Sequence, residues 1–324
     1  MTTPSHRAPG HITAGSRIIA LGHYQPTEVL GNEEVGERAG VQPEWIAKRT
    51  GIRQRHVSPS EETVTDMAVK AAEHALASTD DATDIDTLIV ATSTAASTIP
   101  STAAQVASEL GLANPAAFDL NTACSGFCYA LACADALIRS GTSRKVLVIA
   151  ADQSTSWLDW NDRETAILFG DGAGAALVAP STTPDIGPVV WGSMGEKADA
   201  IEINADDQFI HQKGRAVFRW ASDLGTVARE ICEAAGVAPE RLAAFVPHQA
   251  NTRIIDALAE DLGVPPGKVA KDVTHSGNTI AASIPLALSR MAADNDLPTD
   301  EPILLFGFGA GLAYAGQIVT LRAS

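Results

Sequence analysis

The sequence predicts an α/β protein made of two structurally equivalent halves, and three observations carry that expectation. Short Val/Ile/Leu-rich runs alternate with longer helical patterns along the chain. The runs are continuously apolar, the mark of strands covered on both faces in parallel or mixed sheets. Three pairs of landmarks also share an offset of 156 or 157 positions, close to half of the 324 residues. Asn121-Thr122 and Asn278-Thr279 each open an apolar helix, Val146–Ile149 matches Ile303–Phe306, and Leu88–Val90 matches Ala244–Val246. A fixed internal offset is the signature of a repeated structural unit.

Taken in order, residues 1–16 are rich in Pro, Ser, Thr, His and Gly and read as a flexible tail. They hold no apolar run of the kind a signal peptide needs. Val64 to Ala77 reads as a helix, Thr87 to Thr92 (TLIVAT) as a buried strand, Gly126 to Arg139 as a helix and Lys145 to Ala151 (KVLVIAA) as a strand. The Pro- and Thr-rich stretch Pro180 to Pro188 is a connection, which divides the chain into halves 17–179 and 180–324. In the second half, 227–235 reads as a helix, 242–246 as a strand, 279–293 as a helix and 302–306 as a strand. If the halves pack about a pseudo-twofold axis, Cys124 and Asn278 lie at the starts of equivalent helices that converge on one site. A helix start presents free N–H groups and partial positive charge, which favours a thiolate and a developing oxyanion.

Composition sets limits. At 45% apolar and 19% charged residues, the chain can bury a sizeable core. The balance of 23 basic against 39 acidic residues argues against nucleic acid or anionic membrane as general partners. No run approaches the roughly 18 apolar residues of a membrane span, and a cytoplasmic location is expected. The four cysteines, Cys124, Cys128, Cys133 and Cys232, show neither C-x-x-C spacing nor paired His, so no zinc or disulfide is expected. Three read as small buried hydrophobes. Cys124 differs, because it stands between a strand and a helix among small residues that let a thioester reach its sulfur.

Three further segments join it. Val246-Pro247-His248-Gln249-Ala250-Asn251 puts a histidine at the C-terminal end of a strand, where α/β enzymes place their chemistry. His275-Ser276-Gly277-Asn278-Thr279 is a Gly-containing turn into a helix, where Asn278 also suits a helix cap. Phe306-Gly307-Phe308-Gly309-Ala310-Gly311 alternates glycine, which lets backbone amides face a ligand closely. Together, TACSGF, VPHQAN and SGNTIAASIPLAL resemble the β-ketoacyl-acyl-carrier-protein synthase III family of the thiolase superfamily, in its order and spacing, from about Arg17 to Leu321. RTGIRQRH (Arg49 to His56) and FGDGAGA (Phe169 to Ala175) add to the match.

The resemblance implies a thiolase-like fold, with the two α/β halves in five layers (α-β-α-β-α), and a ping-pong reaction. Cys124 takes an acyl group from acyl-CoA, and malonyl-acyl carrier protein then loses carbon dioxide and attacks the acyl-enzyme. His248 and Asn278 stabilise the enolate, and the backbone N–H groups of Cys124 and Phe308 form the oxyanion hole. Trp45, Arg49, Arg163 and Asn251 bind coenzyme A, with Trp45 and Arg163 around the adenine. Ile99, Phe169 and Phe308 line the acyl pocket. Arg219 and Arg253, within a basic patch that adds His211, Lys213 and Arg215, receive the acidic carrier protein, although Glu260 and Asp261 stand where the family often has lysines. A homodimer and no metal, flavin or nucleotide cofactor are expected. An acyltransferase that does not decarboxylate is the competing reading. It often dispenses with the asparagine, and Asn278 is present. A catalytically dead dimer partner would lack the cysteine.

Overall fold

The structure, a computed structural model, describes residues 12–323. Its strands are β1 (Gly15–Tyr24), β2 (Glu28–Gly31), β3 (Gln54–Val57), β4 (Thr87–Ala91), β5 (Ala116–Leu120), β6 (Val146–Asp152) and β7 (Gly172–Ser181). They continue with β8 (Val190–Gly192), β9 (Ile201–Ile203), β10 (Ile210–Gln212), β11 (Ala244–Pro247), β12 (Pro302–Phe308) and β13 (Tyr314–Thr320). The helices are α1 (Asn32–Ala39), α2 (Pro43–Thr50), α3 (Val64–Ala77), α4 (Thr102–Glu109) and α5 (Gly126–Arg139). They continue with α6 (Gly214–Ser222), α7 (Gly225–Ala234), α8 (Thr252–Leu262), α9 (Val273–Ser276) and α10 (Ser283–Ala293). β1 begins at Gly15, inside the expected tail; residues 1–11 lie outside the described ones.

Of the two larger sheets, one has the order β1-β7-β6-β4-β5 and the other β8-β13-β12-β11, while β2 with β3 and β9 with β10 form two-stranded sheets. In each larger sheet, a parallel pair (β4 with β6, β11 with β12) is followed by an antiparallel strand (β7, β13). The fifth strand survives in the second sheet as a single parallel bridge between Phe245 and Val269. The duplication is therefore visible in the strand order.

Alternation along the strands builds the layers. Val146, Val148 and Ala150 of β6 face a core shared with α5, α10 and with Ile303 and Leu305 of β12. Leu147, Ile149 and Ala151 face the opposite way, onto α3 and α4, while Leu304 and Phe306 face α7 and α8. Both faces of each larger sheet are thus apolar, which is why the sequence shows continuous runs. The order is helices, sheet, α5 and α10, sheet, helices.

The repeat extends to the turns. Single 3₁₀ turns at Ala123–Ser125 and Ile280–Ala282 precede α5 and α10. Each opens on a non-glycine residue with positive φ, 46° at Ala123 and 51° at Ile280. A β-branched residue in that region is strained and persists only where its surroundings dictate it. The helix read from position 279 consequently starts at Ser283. The halves diverge after β6 and β12. Residues 153–171 connect β6 to β7, whereas 309–313 suffice between β12 and β13. No helix among the described residues is long and apolar enough to cross a membrane.

Candidate active site

Cys124 occupies the turn between β5 and α5 and is 9% exposed. A Cβ at Gly309 would stand 2.7 Å from its Sγ, so only glycine lets this turn approach the nucleophile. The backbone there is extended (φ 176°), so close approach is the constraint and not conformation. The backbone amides of Ala310 and of Cys124 itself act to lower the pKa of the thiol. Burial, followed by the Asp152 carboxylate, nonetheless pushes the thiol up to about 12. A resting thiolate is therefore disfavoured, because desolvation of the charge outweighs two amides.

Asp152 ends β6 fully buried and collects the N–H groups of Ser93 (2.8 Å) and Ala281 (3.0 Å) and the hydroxyls of Thr92 and Thr94. Ala281 and Gly309 stand 157 positions after Cys124 and Asp152. In one half a carboxylate buttresses the turn; in the other, a bare glycine faces the sulfur.

His248 follows β11, is 2% exposed, and burial pushes its imidazole down to about 3, so the ring is neutral. Its Nδ1 lies 2.8 Å from Ser283 Oγ, which also accepts the Gln249 N–H at 3.3 Å. With the Ser283 hydroxyl as donor to Nδ1, the ring proton sits on Nε2. The Phe308 ring stands edge-on to the imidazole at 5.5 Å.

Asn278 is held by its backbone: its N–H donates to Leu168 O (2.8 Å) and its carbonyl accepts from Gly170 N–H (3.0 Å). Oδ1 accepts the Ile280 N–H at 3.0 Å, and the NH2 group has no hydrogen-bond partner among the described residues. Arg55 lies behind this segment, fully buried. It donates to Asn32 Oδ1 and Ile167 O, each at 3.0 Å, and its guanidinium has no carboxylate partner among the described residues. Asp171 receives the backbone N–H and hydroxyl of both Ser58 and Thr155. RTGIRQRH and FGDGAGA therefore form the frame that carries Phe169 and Asn278.

Cys124, His248, Asn278, Phe169 and Phe308 line one cleft of about 1280 Å³. Trp45, Arg49, Arg163, Asn251, Arg219 and Arg253 line it too, so one cavity joins the expected reaction centre, coenzyme site and docking residues. Trp45 is 37% exposed, with the Arg49 guanidinium 5.3 Å from its ring centre. Asn251 spends its side-chain oxygen capping α8 through the Ile254 N–H at 3.1 Å.

Three expectations change. Ile99 is 86% exposed and outside the cleft, because its loop leaves β4 toward solvent. The amide brought to the sulfur alongside that of Cys124 is Ala310's rather than Phe308's. Phe308 belongs to β12, and its side chain is what enters the site. In the basic patch, His211 pairs with Asp207 and Lys213 with Asp199. Arg215, Arg219 and Arg253 have no ion-pair partner among the described residues, and Asp261 is bound by Arg229. Sequence reasoning missed Ala310, Ser283, Asp152 and Arg55. The internal offset could have flagged Asp152, the counterpart of Gly309.

Family models for 3-oxoacyl-[acyl-carrier-protein] synthase III match residues 118–195, and for its C-terminal part residues 232–321. The β-ketoacyl-[acyl-carrier-protein] synthase III 4 of Streptomyces coelicolor is 49% identical over 310 residues, covering 94% of this chain and 98% of that protein. The chain belongs to the 3-oxoacyl-acyl-carrier-protein synthase III family. Among solved structures, this synthase III resembles the priming β-ketosynthase of the R1128 polyketide pathway, with TM-score 0.92, 42% identity and 98% and 99% of the two chains covered. The synthase III of Pseudomonas aeruginosa PAO1 superposes with TM-score 0.91 at 35% identity, covering 95% of this chain and 99% of the other. The fold is the thiolase fold, and the protein is an acyltransferase of the chain-initiating type.

Proposed function

We propose that this synthase III loads an acyl group from acyl-CoA onto Cys124 and condenses it with malonyl-acyl carrier protein, starting a fatty acid or polyketide chain. One observation carries the proposal: a thiol, a neutral imidazole and an amide NH2 with no hydrogen-bond partner among the described residues line a single cleft.

The sulfur of Cys124 attacks the thioester carbonyl, the carbon–sulfur bond to coenzyme A breaks, and coenzyme A leaves with the thiol proton. The amides of Cys124 and Ala310 receive the carbonyl oxygen as it gains charge. In the second half-reaction the malonyl carboxylate leaves as carbon dioxide, and its electron pair passes into the enolate. His248 and Asn278 donate to the enolate oxygen. Both donors are neutral, so neither surrenders a proton. The enolate carbon attacks the acyl carbonyl, the Cys124 thiolate departs, and water reprotonates it. No metal or organic cofactor enters.

Trp45 and Arg163 enclose the adenine, a planar group suited to an indole and a guanidinium, with Arg49 and Asn251 alongside. Arg219 and Arg253 meet the acidic carrier protein, and Phe169 and Phe308 bound the acyl pocket. A second copy pairs along β5, whose edge exposes Phe118 (39%) beside the Ile99 loop. That loop is tied to the edge through Asp119, which accepts the Thr102 and Ala103 N–H groups at 2.8 Å. An unpaired apolar edge is a template for association. Sedimentation at micromolar concentration should show twice the 33.7 kDa chain mass; a species at the single-chain mass contradicts the dimer.

Intact-protein mass spectrometry with a panel of acyl-CoAs tests the loading step. The wild type should gain the mass of the acyl group and Cys124→Ala should not. A stable adduct in Cys124→Ala would overturn the assignment.

A further inference from the structure

Asn121 stands 157 positions before Asn278 and makes the same turn. Its Oδ1 accepts the Ala123 N–H two residues on at 3.2 Å, as that of Asn278 accepts from Ile280. The Ser93 hydroxyl adds a second bond to Oδ1 at 2.9 Å. With the oxygen occupied twice, the orientation of the amide is fixed, and Nδ2 has no hydrogen-bond partner among the described residues. Asn121 and Ser93 line the cleft that holds Cys124. The cleft therefore carries two fixed amide donors, one from each half of the molecule.

The mouth of the cleft belongs to α2, α6 and α8, which pack on one another and carry Trp45, Arg219 and Arg253. Asn121 instead follows β5, the outer strand of the first sheet, next to the turn that holds the nucleophile. A thioester with its coenzyme end at the mouth and its carbonyl on Cys124 brings its acyl end to the Asn121 side, where the Asn121 side chain is exposed.

We propose that Asn121 determines starter specificity by donating from Nδ2 to an oxygen on the acyl chain, so that the preferred starter is an oxygenated acyl thioester, hydroxyacyl or ketoacyl. This rests on the reading that Cys124 is loaded from acyl-CoA. A plain alkyl chain covering Nδ2 strips its water and returns no acceptor, which disfavours that substrate by about tenfold or more.

The test measures kcat/KM for Cys124 loading by intact-protein mass, with butyryl-, 3-hydroxybutyryl-, 4-hydroxybutyryl- and acetoacetyl-CoA. In the wild type at least one oxygenated thioester should load about tenfold faster than butyryl-CoA. The ratio should fall to near one in Asn121→Leu and fall partway in Ser93→Ala, which frees the amide to turn. Butyryl-CoA loading as fast as every oxygenated analogue in the wild type overturns the proposal, whether or not the variants fold. An unchanged ratio in folded Asn121→Leu overturns it too. If no thioester, acetyl-CoA included, modifies Cys124, the loading reading itself fails and the proposal with it.

Discussion

Replacing Gly309 by alanine places a methyl carbon 2.7 Å from Cys124 Sγ and 2.6 Å from its Cβ. Ordinary contact begins near 3.4 Å, so a separation of about 0.7 Å must be found. The turn cannot easily supply it: Gly309 N–H is bonded to Ala313 O at 2.9 Å, and β12 is paired on both sides. The sulfur must therefore swing away from the Ala310 amide. A displacement approaching 1 Å costs on the order of 100-fold in rate, or about 2.7 kcal/mol of transition-state stabilisation. Overpacking should also cost about 1–3 kcal/mol of stability, while the extended backbone adds no conformational strain. The assay is rapid-mixing mass spectrometry of acyl loading beside thermal unfolding, with Gly195→Ala as control because nothing lies within 4 Å of its Cβ position. The control should load within about twofold of wild type, as surface changes usually do. A folded Gly309→Ala that loads at the wild-type rate would refute the reasoning.

Two other outcomes follow from the site. With the Cys124 thiol pushed up to about 12 by burial, the neutral form dominates below that pH. The rate of alkylation by iodoacetamide should then rise about tenfold per pH unit from roughly 7 to 10, following the thiolate fraction; an inflection below about pH 9 contradicts the shift. Ser283→Ala removes the hydroxyl bonded to Nδ1 of His248, so the orientation of the ring is no longer enforced. Malonyl decarboxylation should fall about 10- to 100-fold with loading little changed, and Ser283→Thr should restore it. Equal losses in both activities would reduce Ser283 to a packing residue.

The duplication was legible because equivalent turns need equivalent residues. Asn121-Thr122-Ala123 and Asn278-Thr279-Ile280 share a side-chain-to-backbone bond and a positive φ. The offset gave no guide beyond Asp152, where one connection is much longer than its counterpart. The amide that acts on the sulfur lies two residues beyond the one expected, because β12 runs to Phe308, two beyond the Phe306 that its apolar run suggests. Alternating glycines cannot reveal where a strand stops. The raised pKa of Cys124 was not legible for a different reason. A helix start is visible in sequence, whereas the burial that overrides it comes from Gly309 and from Ile280, Ala281 and α10 of the other half. Likewise, Lys213 reads as a free cation until Asp199 is seen beside it.

In the proposed division of labour, Cys124 and two backbone amides load the acyl group, and Asn278 acts with His248 only when carbon dioxide leaves. Asn278→Asp tests it most directly, since the carboxylate can still accept the Ile280 N–H that shapes the turn but offers no NH2 donor. The measurement is release of labelled carbon dioxide from malonyl-acyl carrier protein, set against acyl loading from acyl-CoA, in wild type, Asn278→Asp and Asn278→Ala. Loading should persist in both variants while carbon dioxide release falls about 100- to 1,000-fold, the loss expected for one transition-state donor. If loading and release fell together in both, Asn278 would be holding the turn and the division would be wrong.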